Sequence, residues 1–261
     1  MRAMTFGHSP CPNDTFAFHA LTHGLVDCPV PIAPVLLDIE ELNRRAHDAA
    51  FDLTKLSVGA FAGVGDRYRL LRSGAALGYG VGPLIVARTP MSLDEAVQGR
   101  VAIPGRETTA YRLLRLAAPA LRDVVEMRYD RILDAVASGD VHAGLIIHES
   151  RFTYADHGLF KAADLGAWWE QETELPVPLA GICVRTNIDE TTSALVERAI
   201  RDSVQYAFDH PEASREYVRA NAQEMSDAVC DAHIKLYVNA LSLDIGDRGL
   251  SAIARLLAAS D

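Results

Sequence analysis

Short apolar runs alternate with helical patterns over the first two thirds of the chain, and the last third is patterned for helix almost throughout. MTFGHS, VPIAPVLLD and FDLTKLS read as strands bounded by turn residues. PCPNDTFAFHALTHG reads as a turn and a helix, with Asn13 or Asp14 as its cap and Gly24 closing it. IEELNRRAHDAA reads as a second helix, and SVGAFAGV as a third that opens at Ser57. The middle of the chain repeats the theme. SLDEAVQGRVAIPGRETTAYRLLRLAAP gives helix, strand, turn, helix, and VVEMRYDRILDAVASGDVHAGLIIHES gives strand, helix, strand. Such alternation predicts an α/β fold.

Two apolar segments, GVGPLIVAR (80–88) and PLAGICVRT (178–186), flank the middle block symmetrically. Each reads as a crossover between lobes. The pattern therefore predicts a two-lobed protein, with lobe one from residues 1–84 and 185–261, lobe two from 85–184, and a hinge at the crossovers. Ligands favour the cleft such an arrangement creates, at the carboxyl ends of parallel strands.

Composition narrows the function. The chain has 261 residues, 49% hydrophobic and 23% charged, with a formal net charge of -10. That balance argues against nucleic acid, which demands a basic face. It leaves room for an anionic small ligand in a locally positive pocket. Cys11, Cys28, Cys183 and Cys230 are scattered, with neither C-x-x-C nor zinc spacing. They read as reduced thiols of a cytoplasmic protein. MRAMTFGHSPCPND lacks the apolar core of a signal peptide, and no run approaches a membrane span. Oligomeric state is left open.

Several motifs fail. His148-Glu149 starts an H-E-x-x-H, but position 152 is Phe152, so no metal site is signalled. Gly78, Gly80 and Gly82 lack dinucleotide spacing, there is no Walker loop, and no cofactor is signalled. Glu40 and Glu41 read as a solvated helix face, and Trp168 and Trp169 as packing or pocket lining.

Four places remain as candidate chemistry. SPCPNDTF (9–16) sets two prolines around Cys11 just after a strand, and the alternative is a capped helix and nothing more. TKLS (54–57) places Lys55 and Ser57 at a strand end, as an anion or hydroxyl contact or as a surface lysine beside a cap. PGRETTAY (104–111) has Gly105 for an unusual turn, then Thr108, Thr109 and Ala110 at a helix start. Free N–H groups and the helix dipole there suit a carboxylate or a phosphate, or serve only as a cap. Last, AGLIIHESRFTY ends a buried run on His148. With no second ligand nearby, a general base is its natural role if it is not a satisfied core histidine.

In order, FGHSPCPNDTFAFHAL, LTKLS, VAIPGRETTAY, RYDRIL, AGLIIHESRFTY, DLGAWWE and NALSLDIG closely resemble the 1,4-dihydroxy-6-naphthoate synthase family. The resemblance runs from Phe6 into the C-terminal helices. It implies a fold similar to type II periplasmic solute-binding proteins and a place in the futalosine route to menaquinone. It further implies cleavage of cyclic dehypoxanthine futalosine to 1,4-dihydroxy-6-naphthoate and dihydroxyacetone without a cofactor. By the motif matches, His148 is the implied base, and Lys55, Ser57, Thr109, Ala110 and Asn43 the implied substrate-binding residues. Two rivals share the fold: chorismate dehydratase of the same route, and a solute-binding protein without chemistry.

Overall fold

The computed structural model describes residues 2–223 and 226–259. Its first five strands are β1 (Met4–His8), β2 (Ile32–Leu36), β3 (Leu53–Ser57), β4 (Tyr68–Leu70) and β5 (Ala76–Gly78). The next five are β6 (Leu84–Ala87), β7 (Val101–Ile103), β8 (Val124–Glu126), β9 (Ala143–Ile146) and β10 (Phe160–Asp164), before β11 (Val177–Arg185) returns. One sheet has the order β2-β1-β3-β11-β4, with β5 also paired to β11; the other has the order β10-β6-β9-β7-β8. β1 runs parallel to β2 and β3, and β7 runs parallel to β8 and β9. Each lobe is thus built on a parallel core of strands, and a two-lobed α/β fold results.

The chain changes sheets between β5 and β6 and again between β10 and β11. β11 pairs only within the first sheet, against β3, β4 and β5. Residues 177–184, placed with the second lobe by the pattern, therefore belong to the first sheet, and the return connection lies ahead of them. The apolar run alone could not reveal this, because a strand buried on both faces looks the same in either sheet. Three strands escaped the pattern. β4 and β5 are only three residues long, and β10 is an edge strand whose first two residues are exposed.

The outgoing connection passes Val81–Gly82 against Gly166. A Cβ on Gly166 would lie 1.8 Å from the Val81 carbonyl oxygen, so only glycine fits. Arg151 fixes the same stretch by donating to the carbonyls of Gly82 at 2.9 Å and Gly80 at 3.3 Å, and it pairs with Asp164 at 2.7 Å. The largest apolar cluster crosses between the lobes. It joins Val58, Leu77, Val177 and Leu256 to Ile85, Ile103, Leu113 and Leu145. Trp169 is buried in it and donates to the Pro176 carbonyl at 3.1 Å, a packing role. Among the described residues, no helix is long and apolar enough to cross a membrane.

Candidate active site

The carboxyl ends of β1, β3, β7 and β9 converge on one cleft. His148, Lys55, Ser57, Thr109 and Ala110 all line it, together with Ser9, Asn13, His233 and Tyr237. Asn43 does not. It is fully buried behind Ser57, where its Nδ2 donates to Ser57 Oγ at 3.0 Å and its Oδ1 accepts from the Ser57 N–H at 2.9 Å. One lone pair of the serine oxygen is thereby engaged, and the hydroxyl hydrogen remains for a ligand.

The strand geometry of β3 explains the T-K-L-S spacing. Side chains two apart share a face, so Lys55 and Ser57 reach the cleft together. Lys55 is not a free cation, however. Its ammonium donates to Asp14 Oδ1, and both side chains are almost completely buried. Asp14 Oδ2 accepts from the Ser9 N–H at 3.1 Å and the Ser9 hydroxyl at 2.7 Å, and Asn13 Nδ2 donates to Oδ1 at 2.7 Å. Burial opposes ionisation of Asp14, yet Lys55 and these donors hold its pKa below the ordinary carboxylate value.

The N-terminal helix differs from expectation here. The helix Pro12–Thr22 is capped at Cys11 without any side-chain hydrogen bond. Asn13 and Asp14 lie in its first turn and serve the buried network instead. Capping and network membership favour the same residue types, so composition could not separate them.

The second lobe supplies the helix Thr109–Ala117, capped by Thr108, whose hydroxyl accepts from the Tyr111 N–H. Thr109 and Ala110 are its first two residues, where N–H groups have no carbonyl one turn back. The Thr109 hydroxyl is already used across the lobes. It donates to the Leu179 carbonyl at 2.7 Å and accepts from the Gly59 N–H at 3.0 Å. Gly105 is required by close approach rather than by a turn of unusual dihedral. A Cβ there would sit 2.2 Å from the carboxyl carbon of Glu40. Glu40 is buried, not solvated as its helical spacing suggested, and its Oε1 accepts from the Glu107 N–H at 3.3 Å. Burial raises its pKa.

β9 ends at Ile146, and His148 follows in the left-handed region with φ +56°. Such a backbone is uncommon outside glycine and concentrates at functional positions. The Nδ1 atom of His148 lies 3.5 Å from Cys11 Sγ, and the Tyr129 ring meets the imidazole edge to face at 4.8 Å. Nε2 is buried, with no hydrogen-bond partner among the described residues. Burial above all, then the Lys55 charge, pushes the imidazole pKa down to about 4, with Asp14 pulling weakly the other way. The ring is neutral at physiological pH. Cys11 is a neutral thiol too, since burial and the nearby Glu149 raise its pKa.

Cys11, Tyr129, His233 and Tyr237 were not among the expected site residues. Cys11 lay inside a suspected stretch, but its pairing with a histidine 137 positions away is a tertiary fact. His233 and Tyr237 sit one helical turn apart on Asp227–Tyr237, with rings 4.6 Å apart. That spacing was the one available signal, and core packing produces it equally often.

Residues 4–260 match a family described as menaquinone biosynthesis. The chain is 56% identical to a 1,4-dihydroxy-6-naphthoate synthase of Thermus thermophilus, covering 100% of this chain and 95% of the relative. It is 43% identical to one of Streptomyces coelicolor, covering 97% and 91%. A crystal structure of an Archaeoglobus fulgidus protein superposes with TM-score 0.92 at 37% identity, covering 97% of this chain and 95% of that one. A Candida albicans protein described as having the generic periplasmic binding protein fold superposes with TM-score 0.72 at 14% identity, covering 100% and 92%. That likeness identifies the fold alone.

Proposed function

The chain belongs to the menaquinone biosynthesis family, and from that premise we propose that it is a carbon–carbon lyase. It would act in the cytoplasm and cleave cyclic dehypoxanthine futalosine to dihydroxyacetone and 1,4-dihydroxy-6-naphthoate, the compound in the names of its relatives. The observation that carries the reading is His148: a neutral imidazole, held at one nitrogen by Cys11 and bare at the other, at a cleft floor.

Breaking a carbon–carbon bond beside a carbonyl requires removal of a proton from a hydroxyl or an acidic C–H. A positioned imidazole supplies on the order of 100- to 10,000-fold for such a step. For Nε2 to accept that proton, Nδ1 must carry the ring hydrogen and donate it to Cys11 Sγ. Burial first, and the Lys55 charge second, keep the ring unprotonated beforehand, so the base is available at neutral pH.

The substrate also carries an aromatic carboxylate. The N–H groups of Thr109 and Ala110 would hold it through the positive end of the helix dipole. Ser57 would donate its hydroxyl hydrogen to a substrate oxygen, since Asn43 occupies one of its lone pairs. Lys55 serves through its charge, because Asp14 takes its ammonium.

The test is direct. Pure protein incubated with cyclic dehypoxanthine futalosine should release the naphthoate, detected by mass spectrometry. Tight binding without product would point to a solute-binding role and sink the lyase reading.

A further inference from the structure

His233 is 1% exposed, yet its ring forms part of the cleft wall. Its hydrogen-bonding state follows from its neighbours without any assumption about a ligand. Asp14 is an ionised carboxylate beside Lys55 and can only accept. The Asn13 atom facing it at 2.7 Å is therefore the amide nitrogen. Asn13 Oδ1 then faces His233 Nε2 at 2.9 Å, and an amide oxygen can only accept. So His233 Nε2 carries a hydrogen. Burial, reinforced by His148 and Lys55, keeps the ring neutral. A neutral imidazole has one N–H, so Nδ1 is a bare lone pair. Among the described residues it has no partner.

We propose that His233 is a ligand-binding residue of the cleft, whose Nδ1 accepts a hydrogen bond from a hydroxyl of the bound molecule. The inference deepens the lyase reading and rests on it. An acceptor-only nitrogen cannot hold a carboxylate. It selects the hydroxyl-bearing part of the substrate, while the helix start at Thr109 and Ala110 offers only donors and selects the anion. Donor and acceptor groups of the cleft thus read opposite polarities on the bound molecule. His148 lies beside His233, with ring centroids 6.3 Å apart and planes 24° apart, so a hydroxyl bonded there lies near the base.

Two substitutions separate this role from a merely structural one. In His233→Asn the amide oxygen can stand near the Nδ1 position, but the link to Asn13 is lost. In His233→Gln the amide N–H can reach the Nε2 position and keep that link, but the acceptor is lost. Thermal unfolding should rank Gln above Asn. Activity should rank the other way, with kcat/KM of the Gln variant roughly tenfold or more below that of the Asn variant. Activity that follows stability, or equal loss in both variants, overturns the proposal. In histidine-labelled wild type, long-range proton–nitrogen spectra should show a protonated Nε2 and a bare Nδ1, and the opposite tautomer overturns it as well. If the wild type itself yields no naphthoate, the lyase reading falls and takes this inference with it. An active wild type with the wrong ranking removes only the role of His233.

Discussion

The two walls of the cleft are built on opposite principles. On the first-lobe wall most polar atoms are already engaged, Lys55 with Asp14, Asp14 with Ser9 and Asn13, Asn13 with His233, and Ser57 with Asn43, and what remains is the Ser57 hydroxyl hydrogen and His233 Nδ1. On the second-lobe wall the useful atoms are left over, namely His148 Nε2 and the N–H groups at the start of Thr109–Ala117. One wall is a cross-linked scaffold built around a paired charge, and the other presents mostly unspent hydrogen-bonding capacity. Under the proposed reading, the difference would let a protein of net charge -10 take an anion. A helix dipole and bare N–H groups attract it locally, and no unpaired cation is required.

The contrast predicts that damage to the buried ion pair of the first wall is structural and damage to His148 on the second is catalytic. Asp14→Ala should be the most destructive change. It strands the buried Lys55 ammonium, at a cost of about 3–5 kcal/mol in urea unfolding. A variant as stable as wild type would mean the scaffold wall is not held by this pair. His148→Asn should leave the unfolding midpoint nearly unchanged while kcat falls roughly 100-fold or more. Turnover within about tenfold of wild type, with normal binding, would remove His148 as the base.

Acidity sharpens the comparison, because both walls hold imidazoles whose pKa values burial lowers: His8 and His233 on the first, His148 on the second. In the unfolded chain each titrates near 6.5, so between that value and its lower folded value the unfolded state binds more protons. Stability is therefore full above about pH 7 and declines as pH falls below 6.5, each imidazole contributing a slope of about 1.4 kcal/mol per pH unit only down to its own folded pKa, about 4 for His148. Urea unfolding at pH 7 and pH 5 measures this, and equal stabilities would show that the rings are not buried neutral. The acid limb of kcat/KM should include the loss of neutral His148, near pH 4.

The smallest effect concerns the seam between the walls. Thr109→Val removes the hydroxyl that ties Gly59 and Leu179 to the second lobe. It should cost about 1 kcal/mol and raise KM more than it lowers kcat, since the helix start shifts while His148 stays in place. A purely kcat effect would place Thr109 in the chemistry rather than at the seam.

Much of this was legible before any coordinates. The alternation of runs predicted an α/β fold in two lobes, and the spacing in T-K-L-S and the Gly-Arg-Glu-Thr-Thr turn marked positions that do reach the cleft. Boundaries were less legible. β11 reads as a crossover by its hydrophobicity, yet pairs wholly in the first sheet. Glu40 has the spacing of a solvated face, yet lies buried against Gly105.

The sequence by itself determined local geometry: where strands stop, where a helix leaves N–H groups unpaired, and which residue types stand at those ends. These depend on neighbours in the chain and on periodicities of two and 3.6 residues. Only the tertiary structure decided what each polar group is bonded to. Cys11 and His148 are 137 residues apart, and Asn13 and His233 are 220 apart. A lysine reads the same in sequence whether it is free or locked to a carboxylate. Its charge state, its partners and the bare nitrogen of a buried imidazole come from burial and pairing, which no short stretch of chain encodes.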